Sequence, residues 1–288
     1  MSVTQKQVQG KIHVVATPIG NLGDMTARAI DVLKQVDLIL AEDTRHSLPL
    51  LRHFQIHTKC QAFHEHNEKS VAESVCDRVA QGESVAIISD AGVPLISDPG
   101  FALVRLAHER QIPVRAVPGA CAAISAISVA GLATDRFTFE GFLPAKPASK
   151  RKALEALALE SRTMIFYESP RRLIDTLTVM LELFGAERQA VLARELTKLF
   201  ETVRKAALID LLEFVESDGN QEKGEIVLLL EGKTHEKTDE SEDELKHLLA
   251  VLLEEVSLKQ AVSIVMKLKN LKRNQVYPLA LHVKEYLQ

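Results

Sequence analysis

Tryptophan is absent, aromatic residues make up only 5% of the 288 positions, and cysteine occurs three times. Cys60, Cys76 and Cys121 are odd in number and form no Cys-x-x-Cys pair, so neither a disulfide framework nor a zinc site is indicated and no metal is expected. Reduced thiols of this kind suit the cytosol. No uninterrupted apolar run approaches the roughly 20 residues of a membrane-spanning helix, and the first residues lack the apolar core of a secretion signal. A soluble, cytoplasmic protein with no membrane partner is expected. Neither sign of charge dominates, the formal net charge being −4. There is thus no global electrostatic case for nucleic acid, and any such contact must come from local basic patches. What the chain does have is length and 46% hydrophobic content, enough for a large core near the size at which one core divides into two or three domains.

Short β-branched runs alternate with helix-period segments, the pattern of a parallel sheet covered by helices. Strands are predicted over 12–17, 37–41, 60–64, 84–89 and 114–117, and helices over 25–36, 67–81, 99–110 and 120–131. These form a first α/β domain at 1–134. From Phe137 the order continues as strand 137–142, helix 149–159, strand 162–167, helix 170–184, strands 189–195 and 199–206, helix 208–217 and strand 225–231. That is a second, mixed α/β domain at 135–233. The stretch 233–244, KTHEKTDESEDE, is acidic without an apolar member and reads as a linker. Ser257 and Gln260 then form a capping-box pattern ahead of the periodic run Leu258, Ala261, Val262, Val265, Met266 and Leu268. A helical domain is therefore placed at 243–288, with two helices over 257–287 joined near Asn270. Lys259, Lys267, Lys269, Lys272 and Arg273 leave open a helix-turn-helix contact with nucleic acid or a solvated face. Pro278 is expected to kink or shorten the last helix.

The richest segment is ISDAGVPLISDPG, residues 88–100, where an apolar strand meets two groups of acid, glycine and proline. Asp98 is expected to cap the next helix, with Pro99 at its first position and Gly100 packing closely. Asp90, Ala91, Gly92, Val93 and Pro94 are not used up by capping. They fall outside the carboxyl end of a buried strand, where α/β proteins hold ligands, and are read as part of a cofactor site. ATPIGNLGD, residues 16–24, stands where a dinucleotide turn would, without the G-x-G-x-x-G spacing. LAEDTRHS, residues 40–47, supplies an acid about 20 residues after that turn. On these residues alone a nicotinamide enzyme or a Rossmann-like methyltransferase stays open.

Eight segments, ATPIGNLGD, AEDTRHS, SDAGVPLISDPG, VPGACAA, EGFLPAK, FYESPRR, ARELTK and KGEIVLLLEG, stand in a characteristic order and spacing. In these the chain resembles the ribosomal RNA small subunit methyltransferase I family, from about residue 11 to 232. The resemblance implies a tetrapyrrole methylase-like fold, two α/β domains with S-adenosyl-L-methionine in the cleft between them, here followed by a small helical C-terminal unit. It further implies 2′-O-methylation of a cytidine ribose in the decoding centre of 16S rRNA, the small ribosomal subunit as partner, and a homodimer. Carried over to this sequence, cofactor binding would fall to Pro18, Ile19, Gly20 and Asn21, to Asp90, Ala91, Gly92, Val93 and Pro94, and to Pro118, Gly119, Ala122 and Ala123. From the second domain it would fall to Phe166, Tyr167, Arg194, Glu195, Gly224 and Glu225. The chain departs from the family with Val93 where Thr is usual, which bears on one cofactor hydrogen bond, and with Ala120 where Pro is frequent. Pro118 and Gly119 also end a strand before a helix of small residues, which suits either ligand approach or close helix packing. Glu168 reads as a first-turn charge favoured by the helix dipole.

For such a reaction alignment of the attacking oxygen is most of the catalysis, and a general base adds roughly 10²–10⁴-fold. Asp43 and Glu42 are the candidate bases, with Arg45 orienting a carboxylate or holding a phosphate. The structural alternative is an Asp43–Arg45 pair that only fixes the loop. His64 and His66 are weaker candidates. If Asp43 is the base, Asp43→Asn keeps cofactor binding and loses methyl transfer. The segment KPASKRK places Lys146, Lys150, Arg151 and Lys152 at a loop and helix start, where cations oppose the helix dipole. They are read as RNA-binding, against the alternative of plain solvated surface. Two further classes stay open: a tetrapyrrole or protein methylase of the same superfamily, which the basic segments disfavour, and a non-catalytic ribosome-binding protein that keeps the cofactor fold.

Overall fold

Strands that are apolar at every position need cover on both faces. Leu38–Ala41 (β2) and Val85–Ile88 (β4) are of this kind and are buried throughout. In the computed structural model, which describes residues 10–64, 66–233, 239–269 and 271–286, they lie inside a parallel sheet of order β3-β2-β4-β1-β5. Its other strands are β1 (Ile12–Val15), β3 (Cys60–Ala62) and β5 (Val114–Val117). Successive side chains point to opposite faces. Leu38 and Leu40 pack with α3 (Glu68–Ala80) and α4 (Phe101–Glu109), while Ile39 and Ala41 pack with α1 (Ala27–Gln35) and α2 (Thr44–His53).

All of these strands were legible in the sequence, but α2 was not. Its start is polar and Pro49 sits at its sixth position, where the missing N–H leaves the Arg45 carbonyl without its helical partner. The buried Ser47 and Leu51 hold one face of the helix on the sheet. The start of α4 also differs from expectation. Gly100, at φ +131°, is the cap residue, and Asp98 does not cap the helix. Glu68 does so from α3, its Oε1 accepting from the N–H of Gly100 (3.0 Å) and of Ala102 (2.7 Å).

The second sheet has the order β6-β7-β10-β8-β9, formed by β6 (Phe137–Phe142), β7 (Thr163–Glu168), β8 (Gln189–Arg194), β9 (Thr202–Ala207) and β10 (Ile226–Leu230). Only β6 and β7 are parallel; the other neighbours are antiparallel. Phe166, Leu192 and Leu228 face α6 (Pro147–Ala156), α7 (Leu173–Phe184) and α8 (Leu208–Ser217). Ile165, Val191, Val227 and Leu229 face the other way, onto Ala123, Ala126 and Ile127 of α5 (Ala122–Val129). Helix α5, expected within the first α/β half, thus covers the second sheet, and residues up to Lys233 form one compact unit.

The remaining residues form a second unit of three helices, α9 (Asp239–Glu255), α10 (Leu258–Lys269) and α11 (Arg273–Tyr286). Helix α9 begins inside the stretch read as a linker. Acidic residues are as natural in the first turns of a helix, where the dipole favours them, as in a solvated connection. Half of the expected capping box at α10 is present: Ser257 N donates to Gln260 Oε1 (3.1 Å), while Ser257 Oγ also donates to Gln260 Oε1 (2.7 Å) and the Gln260 backbone N–H donates to the Ser257 carbonyl (2.9 Å). Leu249, Ala261, Val265, Val276 and Ala280 form the core of the unit. Pro278 does not shorten α11, which continues past it for two turns. The junction expected at Asn270 lies outside the described residues. Among the described residues no helix is long and apolar enough to cross a membrane.

Candidate active site

The loops after β1, β2, β4 and β5 leave the carboxyl edge of the first sheet, the edge at which doubly wound sheets hold ligands. Thr17 and Gly92 tie two of them together. Thr17 N donates to the Gly92 carbonyl (2.8 Å) and Gly92 N to the Thr17 carbonyl (3.2 Å). Gly92 sits at φ +80°, and a Cβ there would meet Ile19 Cγ2 at 3.3 Å. Facing these loops are the end of β7, residues 193–196 and residues 224–227 of the second sheet. Between them lies a cavity of about 440 Å³, within the range of small-molecule sites.

Its walls are of two kinds. Ile19, Val93, Ala122, Phe142, Tyr167, Leu196 and Val227 are apolar, and Glu42, Asp90, Asp98 and Glu225 are acidic, while the carboxylate of Glu168 is turned away to Arg172 and Thr176; among the described residues no lysine or arginine lines the cavity. Apolar walls with charge of one sign concentrate a ligand of the other sign, so the cleft selects an apolar body that carries positive charge. Tyr167 stands edge-on to Phe139 and Phe142, and burial pushes its phenol up to about 12.

Of the residues expected at the cofactor, Ile19, Asp90, Ala91, Val93, Ala122, Tyr167, Gly224 and Glu225 line the cleft. Pro18, Gly20, Asn21, Gly92, Pro94, Pro118 and Gly119 shape the loops behind it. Asn21, for instance, accepts from Gly23 N (2.9 Å) and caps a short 3₁₀ turn over Leu22–Asp24. Ala123 is turned into the α5 packing.

Three expectations are corrected. Phe166 is fully buried in the core on the far face of β7, because strand neighbours alternate and Tyr167 takes the cleft side. Arg194 likewise alternates with cleft-lining Ala193. Its guanidinium donates to Gln221 Oε1, Thr202 Oγ1 and the carbonyls of Phe200 and Lys223, bracing the loops that carry the wall. Glu195 stands behind the wall too, its Oε1 accepting from Glu225 N (2.9 Å) and Lys198 Nζ (2.7 Å).

The candidate bases separate. Asp43 caps α2 through Arg45 N (2.8 Å), and its carboxylate is gripped by the Arg45 guanidinium (3.0 and 2.6 Å). The Arg45 hydrogen bonds hold its carboxyl at about 2. Asp43 does not line the cavity, so the loop-fixing alternative describes its geometry. Glu42, one residue earlier, does line it. Asp90 Oδ2 meets His46 Nδ1 at 3.0 Å, a contact that raises the pKa of the imidazole. His64 and His66 face each other edge-on and do not line the cavity.

Asp98 was missed as a site residue. It lines the cleft half-buried, and burial, with the charge of Asp90 adding to it, pushes its carboxyl up to about 6 against a hydrogen bond from Ser89. The sequence signal was the repeat of Ile-Ser-Asp at 88–90 and 96–98. Glu168 was read too lightly as well. It is 2% exposed, with Oε1 accepting from Ser169 N and Arg172 Nη2 (both 2.7 Å) and Oε2 from Thr176 Oγ1 (2.6 Å).

The expected RNA patch is halved. Lys150 is only 1% exposed, and its Nζ donates to Asp175 Oδ2 (2.5 Å) and Thr176 Oγ1 (2.9 Å), so it is an internal residue closed to phosphate. Arg151 is paired with Glu182, while Lys146 and Lys152 are exposed.

Comparison with known proteins agrees with this architecture. The pattern of the Tetrapyrrole (Corrin/Porphyrin) Methylases matches residues 11–212, and that of the RsmI C-terminal HTH domain matches residues 239–284. Ribosomal RNA small subunit methyltransferase I of Pseudomonas aeruginosa is 51% identical over 273 residues, covering 94% of this chain and 97% of the relative. The protein of that name from Escherichia coli O157:H7 is 48% identical, covering 95% of both chains. Among solved structures, diphthine synthase superposes with a TM-score of 0.58 at 13% identity over 78% of this chain and 92% of its own, a likeness of fold alone. The two sheets, the cleft between them, the helical C-terminal unit and near-half identity over almost the whole length lead to one conclusion: the chain belongs to the ribosomal RNA small subunit methyltransferase I family of tetrapyrrole methylases.

Proposed function

We propose that the protein transfers the methyl group of S-adenosyl-L-methionine to the ribose 2′-oxygen of a cytidine in the decoding centre of 16S rRNA. The observation that carries this reading is the acid-lined apolar cleft, in a chain whose relatives are named for small-subunit rRNA methylation. The residues present fit that cofactor. Ile19, Val93, Ala122, Leu196 and Val227 offer an apolar wall to its adenosine, and Glu42, Asp90 and Glu225 offer negative charge to its sulfonium and ammonium groups. When bound, the cofactor supplies a methyl group already activated for transfer. The chain's own part is to hold donor and ribose in line and to exclude water.

The same acids repel phosphate, so the RNA backbone belongs at the rim. Lys146 and Lys152 at the start of α6 are suited to that contact, and the separate C-terminal unit carries its own exposed cations, Lys259, Lys267, Lys272 and Arg273, of the kind that bind phosphate. Charge reversal at Lys146 and Lys152 is expected to weaken binding to small subunits and to reduce the slope of log affinity against log salt by roughly 0.7–0.9 per lost phosphate contact. An unchanged slope in a filter-binding titration would remove the patch from the interface.

Ile124, Val129, Leu199 and Phe200 are exposed apolar side chains that support a homodimer, which sedimentation velocity tests. A cytoplasmic location completes the reading. The test of substrate class offers labelled cofactor together with undermethylated small subunits, bare rRNA or a porphyrinogen. Label in the RNA of the subunits is expected. Label in the porphyrinogen or in a ribosomal protein would replace this reading with another methylase activity of the superfamily.

A further inference from the structure

Of the large apolar side chains that line the cleft, Ile19, Leu196, Ile226 and Val227 are buried, whereas Ile96 and Phe142 are exposed, Phe142 by 57%. An aromatic ring left open to water gives up much of the burial that would otherwise stabilise the fold. Its direction is set by a specific device. Phe142 ends β6, and the pairing of β6 with β7 shifts register between Phe139 and Gly141, so that Glu140 is an extra residue with no partner on β7. Phe139 faces the cleft side with Ile165 and Tyr167. Because side chains alternate along a strand, an unbroken β6 would turn residue 142 to the opposite face. The bulge reverses that parity. Phe142 is thereby set opposite Tyr167 on the cleft side, its ring edge-on to the tyrosine ring at 5.5 Å.

The backbone on both sides of the ring is held. Gly141, at φ +65°, lies against the facing loop, where a Cβ would meet Ser97 Oγ at 3.8 Å. Leu143 is buried, and its carbonyl accepts from Arg172 Nη1 (3.1 Å). An open aromatic face is thus presented at the cleft on a fixed backbone, so little ordering is lost when a flat ligand settles on it.

We propose that Phe142 is the platform on which the nucleobase of the target nucleotide stacks while its ribose enters the cleft. The inference rests on the ribose-methylation reading above. A ribose reaches a methyl donor inside the cleft only when its nucleotide is drawn out of the RNA stack, and unstacked bases are received on aromatic faces. The buried walls of the cleft suit the cofactor's adenosine, and the exposed ring stands where the RNA arrives from solvent. Stacking fixes the plane of the base, and through the glycosidic bond the direction of the 2′-oxygen, which is the alignment that the transfer needs. A neutral ring does this beside Asp90, Asp98 and Glu225 without forming an ion pair with them.

Transfer of label to undermethylated small subunits tests the assignment, with kcat and the KM for subunits read separately at saturating S-adenosyl-L-methionine. Losing the stack on one base lowers affinity by about 5- to 150-fold. Phe142→Ala and Phe142→Leu should each lose a factor in that range in kcat/KM, and Phe142→Tyr should stay within about threefold of the parent. Leucine keeps the apolar bulk and lacks the π-face, so the gap between the Leu and Tyr variants separates stacking from plain contact. If the Ala variant fails to fold, the Leu variant alone decides. Phe142→Leu within about threefold of an active parent overturns the assignment. A deficit that is seen at limiting cofactor and vanishes at saturation overturns it too, because the ring would then serve the adenosine. A parent that transfers no methyl to subunit RNA overturns the ribose-methylation reading itself, and this role with it.

Discussion

Lys150→Glu is expected to destabilise the protein by about 3–5 kcal/mol, not merely to weaken RNA binding. Lysine at this position looks like one of a run of surface cations, yet its ammonium is enclosed and bonded to Asp175 and Thr176. Thr176 in turn donates to the buried Glu168, which Arg172 and the amide of Ser169 also hold. Glutamate at 150 would place another carboxylate beside Asp175 and next to the Thr176–Glu168 link, with its compensating cation gone. Lys150→Met removes the charge and keeps the stem, so a smaller loss of about 1–3 kcal/mol is expected, set by the hydrogen bonds it breaks. Lys152→Glu, exposed on the same helix, should change stability by no more than about 0.5 kcal/mol. Urea unfolding of the three variants checks the ordering. A stable Lys150→Glu protein would contradict the internal role.

Gly92→Val is expected to lower cofactor affinity by about 10- to 100-fold, the equivalent of about 1.4–2.8 kcal/mol. Valine is poorly tolerated at positive φ, and such strain costs about 1–3 kcal/mol. The new Cβ would also press on Ile19, a cleft wall, and disturb the paired hydrogen bonds between Thr17 and Gly92 that hold two cofactor loops together. Gly131→Ala is the control. Gly131 also has positive φ, but a Cβ there meets nothing within 4 Å, so stability should fall without a change in affinity. Calorimetric titration with S-adenosyl-L-methionine distinguishes the two, and unchanged affinity in Gly92→Val would contradict the placement of the cofactor.

Where local chemistry decides a structure, the sequence was readable. Continuous apolar runs at 38–41 and 85–88 could only be buried strands, and Gln260 reaches back to Ser257 N at the start of α10 as its spacing implies. Misreadings arose where a distant partner decides. Asp98, Pro99 and Gly100 have the composition of a helix start, and nothing nearby shows that Glu68, 32 residues earlier than Gly100, caps the helix and leaves Asp98 to the cleft. Lys150 is indistinguishable from its neighbours until α7 brings Asp175 beside it, 25 residues on. Phe166 and Tyr167 are both aromatic, and only the pleat assigns one to the core and the other to the cleft wall. Of the acids at 42–43 only Glu42 lines the cleft, a difference that depended on α2, which Pro49 hid. The family resemblance pointed to loops that line the cleft without assigning each side chain a direction.

The central claim is that this cleft serves methyl transfer to one ribose of the small subunit. Its most direct test is to incubate undermethylated small subunits with the protein and labelled S-adenosyl-L-methionine, then map the labelled nucleotide by nuclease digestion. Label at a single 2′-O-methylcytidine of the decoding centre is the predicted result. Label on a base, at many sites, or absent despite measured cofactor binding would contradict it.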